Sequence, residues 1–459
     1  MKLHFLVGAL GSGSGKTTFT AGCMRALCRR GLTVQPYKCG PDYIDPQFHS
    51  IATGRESVNL DCWMGSPEHV SGLFRRYGED ADSLLVEGVM GLFDGYDKAL
   101  GSSANLAKLL DIPVVLVVDA RSTAYTAAAL LYGAANFLPG LRIAGVVFNR
   151  VGSQVHLSLL KQACRDAGLR CLGHIPRSSG LEIPSRHLGL SLGELEKIEE
   201  YISQAADLVE SGIDMDALFE AACPPAGAIS APAEARASVE NAQNGPSRGL
   251  KIAVARDEAF NFIYRENIRR LREVAEVVFF SPLEAEHLPE ADILYLPGGY
   301  PELYAGRLSA NAVLRREIYD MAMGGGRILA ECGGMLYLSE AIEGVDGGAF
   351  PMCGVFPFRC TMEGARLHLG YRSIEPLHRK DAETQQRNIW RGHEFHYSKI
   401  VDPGCAESVA LQRDVRGGEV ATGLYRHKNV LAGYTHLYWG EADPLSLWHT
   451  FRSGKPDMT

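Results

Sequence analysis

The sequence predicts an α/β protein made of two doubly wound domains, and three observations carry that expectation. Short apolar runs alternate with amphipathic stretches in a βαβ rhythm, which builds a parallel sheet covered by helices. The rhythm breaks once, in a stretch rich in Pro, Ala and Gly, and then resumes. Two apolar runs end in Gly-rich turns with chemistry in them, Ser12-Gly13-Ser14-Gly15-Lys16-Thr17-Thr18 and Glu331-Cys332-Gly333-Gly334.

Bulk properties narrow the classes. A chain of 459 residues is long enough for more than one core, and its 46% hydrophobic and 22% charged content is that of a globular protein. A formal net charge of −8 gives no electrostatic case for binding nucleic acid or membrane. The eleven cysteines are scattered with no CxxC pair, which points to reduced thiols in a cytoplasmic enzyme. The opening Met1-Lys2-Leu3-His4-Phe5-Leu6-Val7 runs straight into the glycine loop and reads as a strand, not a signal peptide. No apolar run approaches the roughly 20 residues that span a bilayer.

In chain order, residues 3–7, 84–87, 114–118 and 143–148 read as buried parallel strands, and 34–38 is strand-like. Residues 17–30, 104–110 and 156–167 have helical patterning. This first domain is assigned residues 1–220. Residues 221–248 hold Pro224, Pro225, Gly227, Pro232, Gly245 and Pro246 without apolar periodicity and read as a linker. Strands at 251–255, 293–296 and 327–330 open a second α/β domain, residues 249–459.

The first Gly-rich turn has the makings of a phosphate cradle. Backbone N–H groups freed by Gly13 and Gly15 wrap phosphates, and the following helix N-terminus adds positive potential. Ser14, Lys16, Thr17 and Thr18 complete the nucleotide contacts, Lys16 toward the β/γ-phosphates and Thr17 toward Mg²⁺. The strict pattern asks for Gly six residues before the Lys, where Leu10 stands, so the loop is a variant; a plain Gly-rich turn is the bland alternative. Glu87, at the C-terminal end of a buried strand, and Asp45, in Pro41-Asp42-Tyr43-Ile44-Asp45-Pro46, are candidate metal ligands with Thr17. A solvated turn is the competing explanation for Asp42 or Asp45. Asn149 ends another strand, where it could meet an adenine edge.

The second Gly-rich turn suggests a nucleophile elbow at Cys332. His436, in Tyr434-Thr435-His436 after the apolar Val430-Leu431-Ala432, is the candidate base. Gly298 and Gly299, in Pro297-Gly298-Gly299-Tyr300-Pro301-Glu302, could turn backbone N–H groups toward an oxyanion. A lone Cys is usually a small buried hydrophobe, which is the role assigned to the other ten, Cys405 among them.

With these residues in place, the second domain resembles class I glutamine amidotransferases of flavodoxin-like fold, with Cys332 as nucleophile and His436 as base. It departs from their commonest form, which carries Glu two residues after the His, where Tyr438 stands. The first domain resembles the dethiobiotin synthetase-like P-loop fold. Lys38-Cys39-Gly40-Pro41-Asp42-Tyr43-Ile44-Asp45, Glu87-Gly88-Val89-Met90-Gly91-Leu92-Phe93-Asp94-Gly95, Asp257-Glu258-Ala259-Phe260-Asn261-Phe262, Gly298-Gly299-Tyr300-Pro301-Glu302-Leu303-Tyr304 and Arg391-Gly392-His393-Glu394-Phe395-His396-Tyr397-Ser398 together resemble the cobyrinic acid a,c-diamide synthase family over nearly the whole chain. The resemblance implies ATP- and glutamine-dependent amidation of the a and c acetates of cobyrinic acid, through acyl phosphates and ammonia released from glutamine. It implies ATP and Mg²⁺ as companions, Lys38 and Asp45 at the transferring phosphate or carboxylate, Asp97 orienting the macrocycle, and a sheltered path for ammonia. His393, Glu394 and His396 are expected to position substrate or line an interface, or else to be structural. A homodimer is an expectation of the resemblance alone. Hydrogenobyrinic acid, nickel sirohydrochlorin, and the cobyric acid synthase reaction stay open as alternatives. A P-loop switch ATPase would leave Cys332 and His436 idle.

Overall fold

The structure is a computed structural model that describes residues 2–177, 181, 192–223, 249–344, 347–377, 389–401, 404 and 406–451. The chain divides into two compact units, Met1–Ala233 and Glu234–Thr459. Most of the expected linker, residues 224–248, lies outside the described residues, as does Cys405.

In the first unit, β1 (Leu3–Ala9), α1 (Lys16–Arg29), β2 (Val34–Cys39), α2 (Asp45–Thr53), β3 (Val58–Leu60), α3 (Pro67–Tyr77), β4 (Ser83–Glu87) and α4 (Ser103–Leu109) come first. They are followed by β5 (Val114–Asp119), α5 (Ala127–Asn136), β6 (Ile143–Val151), α6 (Gln154–Asp166), β7 (Cys171–Pro176), α7 (Leu192–Gly212) and α8 (Met215–Ala222). The strands form one sheet in the order β3-β2-β4-β1-β5-β6-β7, every pairing parallel. Strand residues alternate between two cores. Leu6, Val86, Val114 and Leu116 pack on one face, and Phe5, Val7, Leu85, Val115 and Val117 on the other. Both faces are covered, which is why these strands read as continuous apolar runs and not as alternating ones.

The second unit holds β8 (Lys251–Ala255), α9 (Arg265–Val274), β9 (Glu276–Phe280), β10 (Ile293–Leu296), α10 (Ala305–Ala310), α11 (Ala312–Met323), β11 (Arg327–Glu331) and α12 (Gly333–Leu338). Ten short strands follow: β12 (Ala341–Glu343), β13 (Ala349–Pro351), β14 (Arg359–Thr361), β15 (His368–Pro376), β16 (Trp390–His396), β17 (Lys399–Ile400), β18 (Ala410–Arg413), β19 (Leu424–His427), β20 (Val430–Gly433) and β21 (His436–Leu437), with α13 (Leu447–Thr450) last. The main sheet runs β19-β20-β11-β10-β8-β9, parallel except for the edge strand β19. Two further four-stranded sheets, β13-β12-β14-β17 and β18-β15-β16-β21, were not expected from the sequence. Many of their strands span only two to four residues, too short for a period-two pattern to register. No helix among the described residues is long and apolar enough to cross a membrane.

Candidate active sites

The phosphate loop follows directly from β1. The chain turns through Gly13 and Gly15, both at positive φ (73° and 92°), before α1 begins at Lys16. Ser14 Oγ donates to the Gly11 carbonyl at 2.8 Å, closing the turn. Lys16 Nζ donates to the Met90 carbonyl at 2.6 Å, which holds the ammonium over the loop. Thr18 faces inward, its hydroxyl 2.7 Å from the Tyr201 hydroxyl on α7. Asn149, at the end of β6, donates from Nδ2 to the Ser14 carbonyl (3.0 Å) and accepts the Arg150 N–H at Oδ1 (2.9 Å). In this structure its amide therefore supports the loop. Arg150 adds a second brace, donating to the Gly13 carbonyl and to Asp119.

Sheet order then decides what lies beside the loop. β4 sits between β1 and β2, and register pairs Lys38 with Glu87. Lys38 Nζ donates to Asp45 Oδ2 (2.5 Å), Glu87 Oε1 (3.2 Å) and the Gly88 carbonyl (3.2 Å), and lies 3.7 Å from Asp42. Thr17 Oγ1 donates to the same Glu87 Oε1 at 2.8 Å. The three residues expected at the metal, Thr17, Asp45 and Glu87, thus converge around one ammonium. Burial works against the Lys38 charge, but Asp45, Glu87 and Asp42 outweigh it and raise its pKa. Burial likewise opposes ionisation of Glu87, and Lys38, His49 and Thr17 reverse the effect and hold its carboxyl well below the usual range. Asp45 is pushed up to about 8, first by burial and then by Asp42.

Among the described residues no group of three or more His, Cys, Asp or Glu is placed to hold a metal by itself. The donor set nonetheless suits Mg²⁺, which takes hard oxygens from one or two carboxylates and completes its shell with waters and phosphate. One member of the cluster went unread in the sequence. His49 is fully buried on α2, with Nε2 2.6 Å from Glu87 Oε2 and Nδ1 3.2 Å from Ser57 Oγ. Its signal was the i,i+4 spacing from Asp45, which puts both on one helix face. Asp97 stands apart from this cluster's hydrogen bonds, exposed on the turn in which Leu100 N–H returns to its carbonyl.

In the second unit β11 ends in a strained turn. Cys332 has φ 47° and ψ −104°, a backbone that L-residues rarely adopt, and α12 starts at the next residue. The turn is this tight because a side chain at Gly334 would put Cβ 2.0 Å from the Leu296 carbonyl oxygen. At Gly333 a Cβ would lie 3.0 Å from Gly299 N, which places the Pro-Gly-Gly loop directly against the elbow. His436 rests on the same loop, since a Cβ at Gly298 would come 2.0 Å from its Cε1. The fold thus gathers Cys332, His436, Gly298 and Gly299, four residues drawn from three separated segments.

The thiol and the imidazole are both buried. Burial pushes the Cys332 thiol up, with Glu302 adding to the effect. Burial pushes His436 down to about 3, helped by His393 and His396. Both groups are therefore neutral near pH 7. Cys332 Sγ lies 3.7 Å from the Phe395 carbonyl, which also favours a proton on His436. His393 pairs in register with His436 across β16 and β21. Glu394 is buried: Arg372 Nη2 lies 2.8 Å from Oε2 as an ion pair, and the Thr422 and Thr435 hydroxyls donate to Oε1 at 2.6 and 3.2 Å. His396 stacks on Tyr434 with ring centroids 3.7 Å apart. His393, Glu394 and His396 are thus interior residues around the base. The remaining described cysteines are free.

Comparison with known proteins fits both halves. Residues 5–190 match the CobQ/CobB/MinD/ParA nucleotide binding domain, and residues 251–444 match the CobB/CobQ-like glutamine amidotransferase domain. Hydrogenobyrinate a,c-diamide synthase of Brucella anthropi is 42% identical over 94% of this chain and 98% of its own. Cobyrinate a,c-diamide synthase of Picrophilus torridus is 40% identical over 96% of each chain. The Listeria innocua protein named cobyrinate a,c-diamide synthase is 39% identical over 98% of this chain and 99% of its own. The chain belongs to the cobyrinate and hydrogenobyrinate a,c-diamide synthase family. It is an amidotransferase ligase of cobalamin biosynthesis with a nucleotide-binding domain that uses ATP.

Proposed function

We propose that residues 1–220 form an amide synthase domain, residues 249–459 a glutaminase domain, and 221–248 the linker, and that the two convert the a and c acetates of cobyrinic acid to amides. The observation that supports the division of labour is that each half brings a different cluster of candidate residues to a strand end. One collects Lys16, Thr17, Lys38, Asp45 and Glu87; the other collects Cys332, His436, Gly298 and Gly299.

In the synthase half, ATP lies along 13–18 with Lys16 on its β/γ-phosphates. Mg²⁺, held by Thr17, Asp45 and Glu87, would neutralise phosphate charge. An acetate oxygen attacks the γ-phosphorus, ADP leaves, and an acyl phosphate forms. Lys38 neutralises the incoming carboxylate and the transferring phosphoryl group, and Asp97 orients the macrocycle. In the glutaminase half, Cys332 gives its proton to His436 as its sulfur attacks the glutamine amide. The Gly298 and Gly299 backbone stabilises the oxyanion. His436 returns the proton to the leaving nitrogen, so ammonia departs and a glutamyl thioester remains. Water, deprotonated by His436, then hydrolyses the thioester and regenerates the thiol. Ammonia displaces phosphate from the acyl phosphate and gives the amide, once at each acetate. A cytoplasmic setting and a homodimer belong to the same proposal.

Hydrogenobyrinic acid is a second reading, favoured by the 42% identity to relatives named for it. The test offers purified protein cobyrinic acid, hydrogenobyrinic acid and nickel sirohydrochlorin with ATP, Mg²⁺ and glutamine, and reads products by mass spectrometry. A diamide from cobyrinic acid in preference to the others supports the first reading, and preference for hydrogenobyrinic acid replaces it with the second. Glutaminase turnover with no amide on any of the three would remove the substrate assignment.

A further inference from the structure

His436 sits on β21, a two-residue strand at the edge of the sheet β18-β15-β16-β21. Two residues after His436 stands Tyr438, where the commoner amidotransferase form carries Glu. Among the described residues, only one side of β21 has a strand partner. Tyr438 N–H donates to the Arg391 carbonyl on that side, so the peptide groups of Leu437, one residue out of phase, point away from β16.

Those groups are met by side chains. Leu437 N–H donates to Glu331 Oε1 at 3.0 Å, and the Leu437 carbonyl accepts from Asn267 Nδ2 at 2.7 Å. Asn267 Oδ1 in turn accepts the Trp439 N–H at 2.8 Å. The Asn267 amide, presented by α9, therefore makes the two hydrogen bonds that a neighbouring strand would make. The second oxygen of Glu331 accepts from the Tyr295 hydroxyl at 2.7 Å. Glu331, Asn267, Leu437 and Trp439 are all buried, so no water competes for these groups. Glu331 is bonded to Cys332 and Leu437 to His436, so a single hydrogen bond ties the covalent neighbours of nucleophile and base.

We propose that Glu331 and Asn267 are positioning residues that fix His436 against Cys332. The inference rests on the assignment of Cys332 and His436 as the glutaminase pair. On this reading the orientation of the base comes through the backbone of β21.

The test uses the full chain carrying Glu331→Ala, Asn267→Ala or Glu331→Gln, with Cys332→Ala alongside. Glutaminase kcat and KM are measured, and amidation supported by free ammonia is followed in parallel. Displacing the base by a fraction of an ångström to an ångström should lower glutaminase kcat about tenfold to a hundredfold in both Ala variants while KM moves little. Ammonia-supported amidation, which bypasses the pair, should hold its level. Glu331→Gln should recover most of kcat, because its amide oxygen still accepts the Leu437 N–H. Unchanged kcat in both Ala variants, beside an inactive Cys332→Ala, would overturn the clamp. A parallel fall in glutamine- and ammonia-supported turnover would overturn it too, since it marks a role in folding alone. Glutaminase turnover surviving in Cys332→Ala would instead sink the assignment of the pair beneath it.

Discussion

The phosphate loop and the cysteine elbow are built alike, but charged groups border the first and neutral ones make up the second. Each is a buried parallel strand, a Gly-rich turn and a helix, opening at the C-terminal edge of its sheet, where open α/β folds bind their ligands. The first turn is bordered by a buried cation already paired with a carboxylate, Lys38 with Glu87, and by Asp45, Thr17 and His49 hydrogen-bonded around that pair. The second holds a thiol and an imidazole that burial keeps uncharged. The difference follows from what each must receive. A polyanion with its metal exchanges partners with charges already in place. A neutral amide needs a nucleophile that ionises only once the substrate has excluded water and the proton has somewhere to go.

Four perturbations probe that contrast, from the largest effect to the smallest. Lys16→Ala removes the cation at the phosphates and should cut ATP-dependent amidation by about a thousandfold, while glutaminase turnover persists. Full amidation in that variant would break the phosphate-loop assignment. Gly334→Ala forces a Cβ to within 2.0 Å of the Leu296 oxygen and should destabilise the second unit by about 3 kcal/mol. Gly11→Ala, with nothing within 4 Å of the added carbon, should leave the denaturant midpoint almost unmoved; equal shifts would contradict the elbow's packing. His49→Ala frees one oxygen of Glu87 and should raise the Mg²⁺ concentration needed for tight ATP binding about tenfold, read by calorimetry at graded Mg²⁺. ATP affinity without Mg²⁺ should change little.

The last concerns pH. The Cys332 pKa is raised, so the thiolate fraction near pH 7 is smaller than in an ordinary cysteine and grows as pH rises beyond 9. His436 is lowered to about 3, so no inflection is expected near 6.5. Iodoacetamide should therefore label Cys332 several-fold more slowly than a free thiol at pH 7, with a rate still rising past pH 9. A plateau between pH 6 and 7 would instead reveal a pre-formed thiolate–imidazolium pair.

Legibility in the sequence tracked distance along the chain. Gly13 to Thr18, Cys332 with its two glycines, and the Pro-Gly-Gly loop are local words whose chemistry sits in adjacent residues. The parallel strands were plain because burial on both faces makes them uniformly apolar. His49 was missed although its spacing from Asp45 was in view, because nothing nearby in sequence showed that Glu87 would arrive beside it. Glu331 was read only as the residue before the thiol. Its two partners come from strands far apart in sequence: Tyr295 from β10, paired beside β11 in the same sheet, and Leu437 from β21 in a different sheet. The strand-end position of Asn149 is visible in the sequence, but its hydrogen bond to the phosphate loop depends on the register of β6 beside β5, which is not.

The central claim is that one chain couples a glutaminase to a carboxylate-activating ATP site. It is tested most directly by following nitrogen. Wild-type protein and Cys332→Ala would each be given ATP, Mg²⁺, the tetrapyrrole acid, glutamine labelled with heavy nitrogen at its side-chain amide, and unlabelled ammonia in excess. The account predicts amides carrying heavy nitrogen from the wild type, and only light amides from Cys332→Ala. Heavy nitrogen in the product of Cys332→Ala, or no product from ammonia in a folded variant, would contradict it.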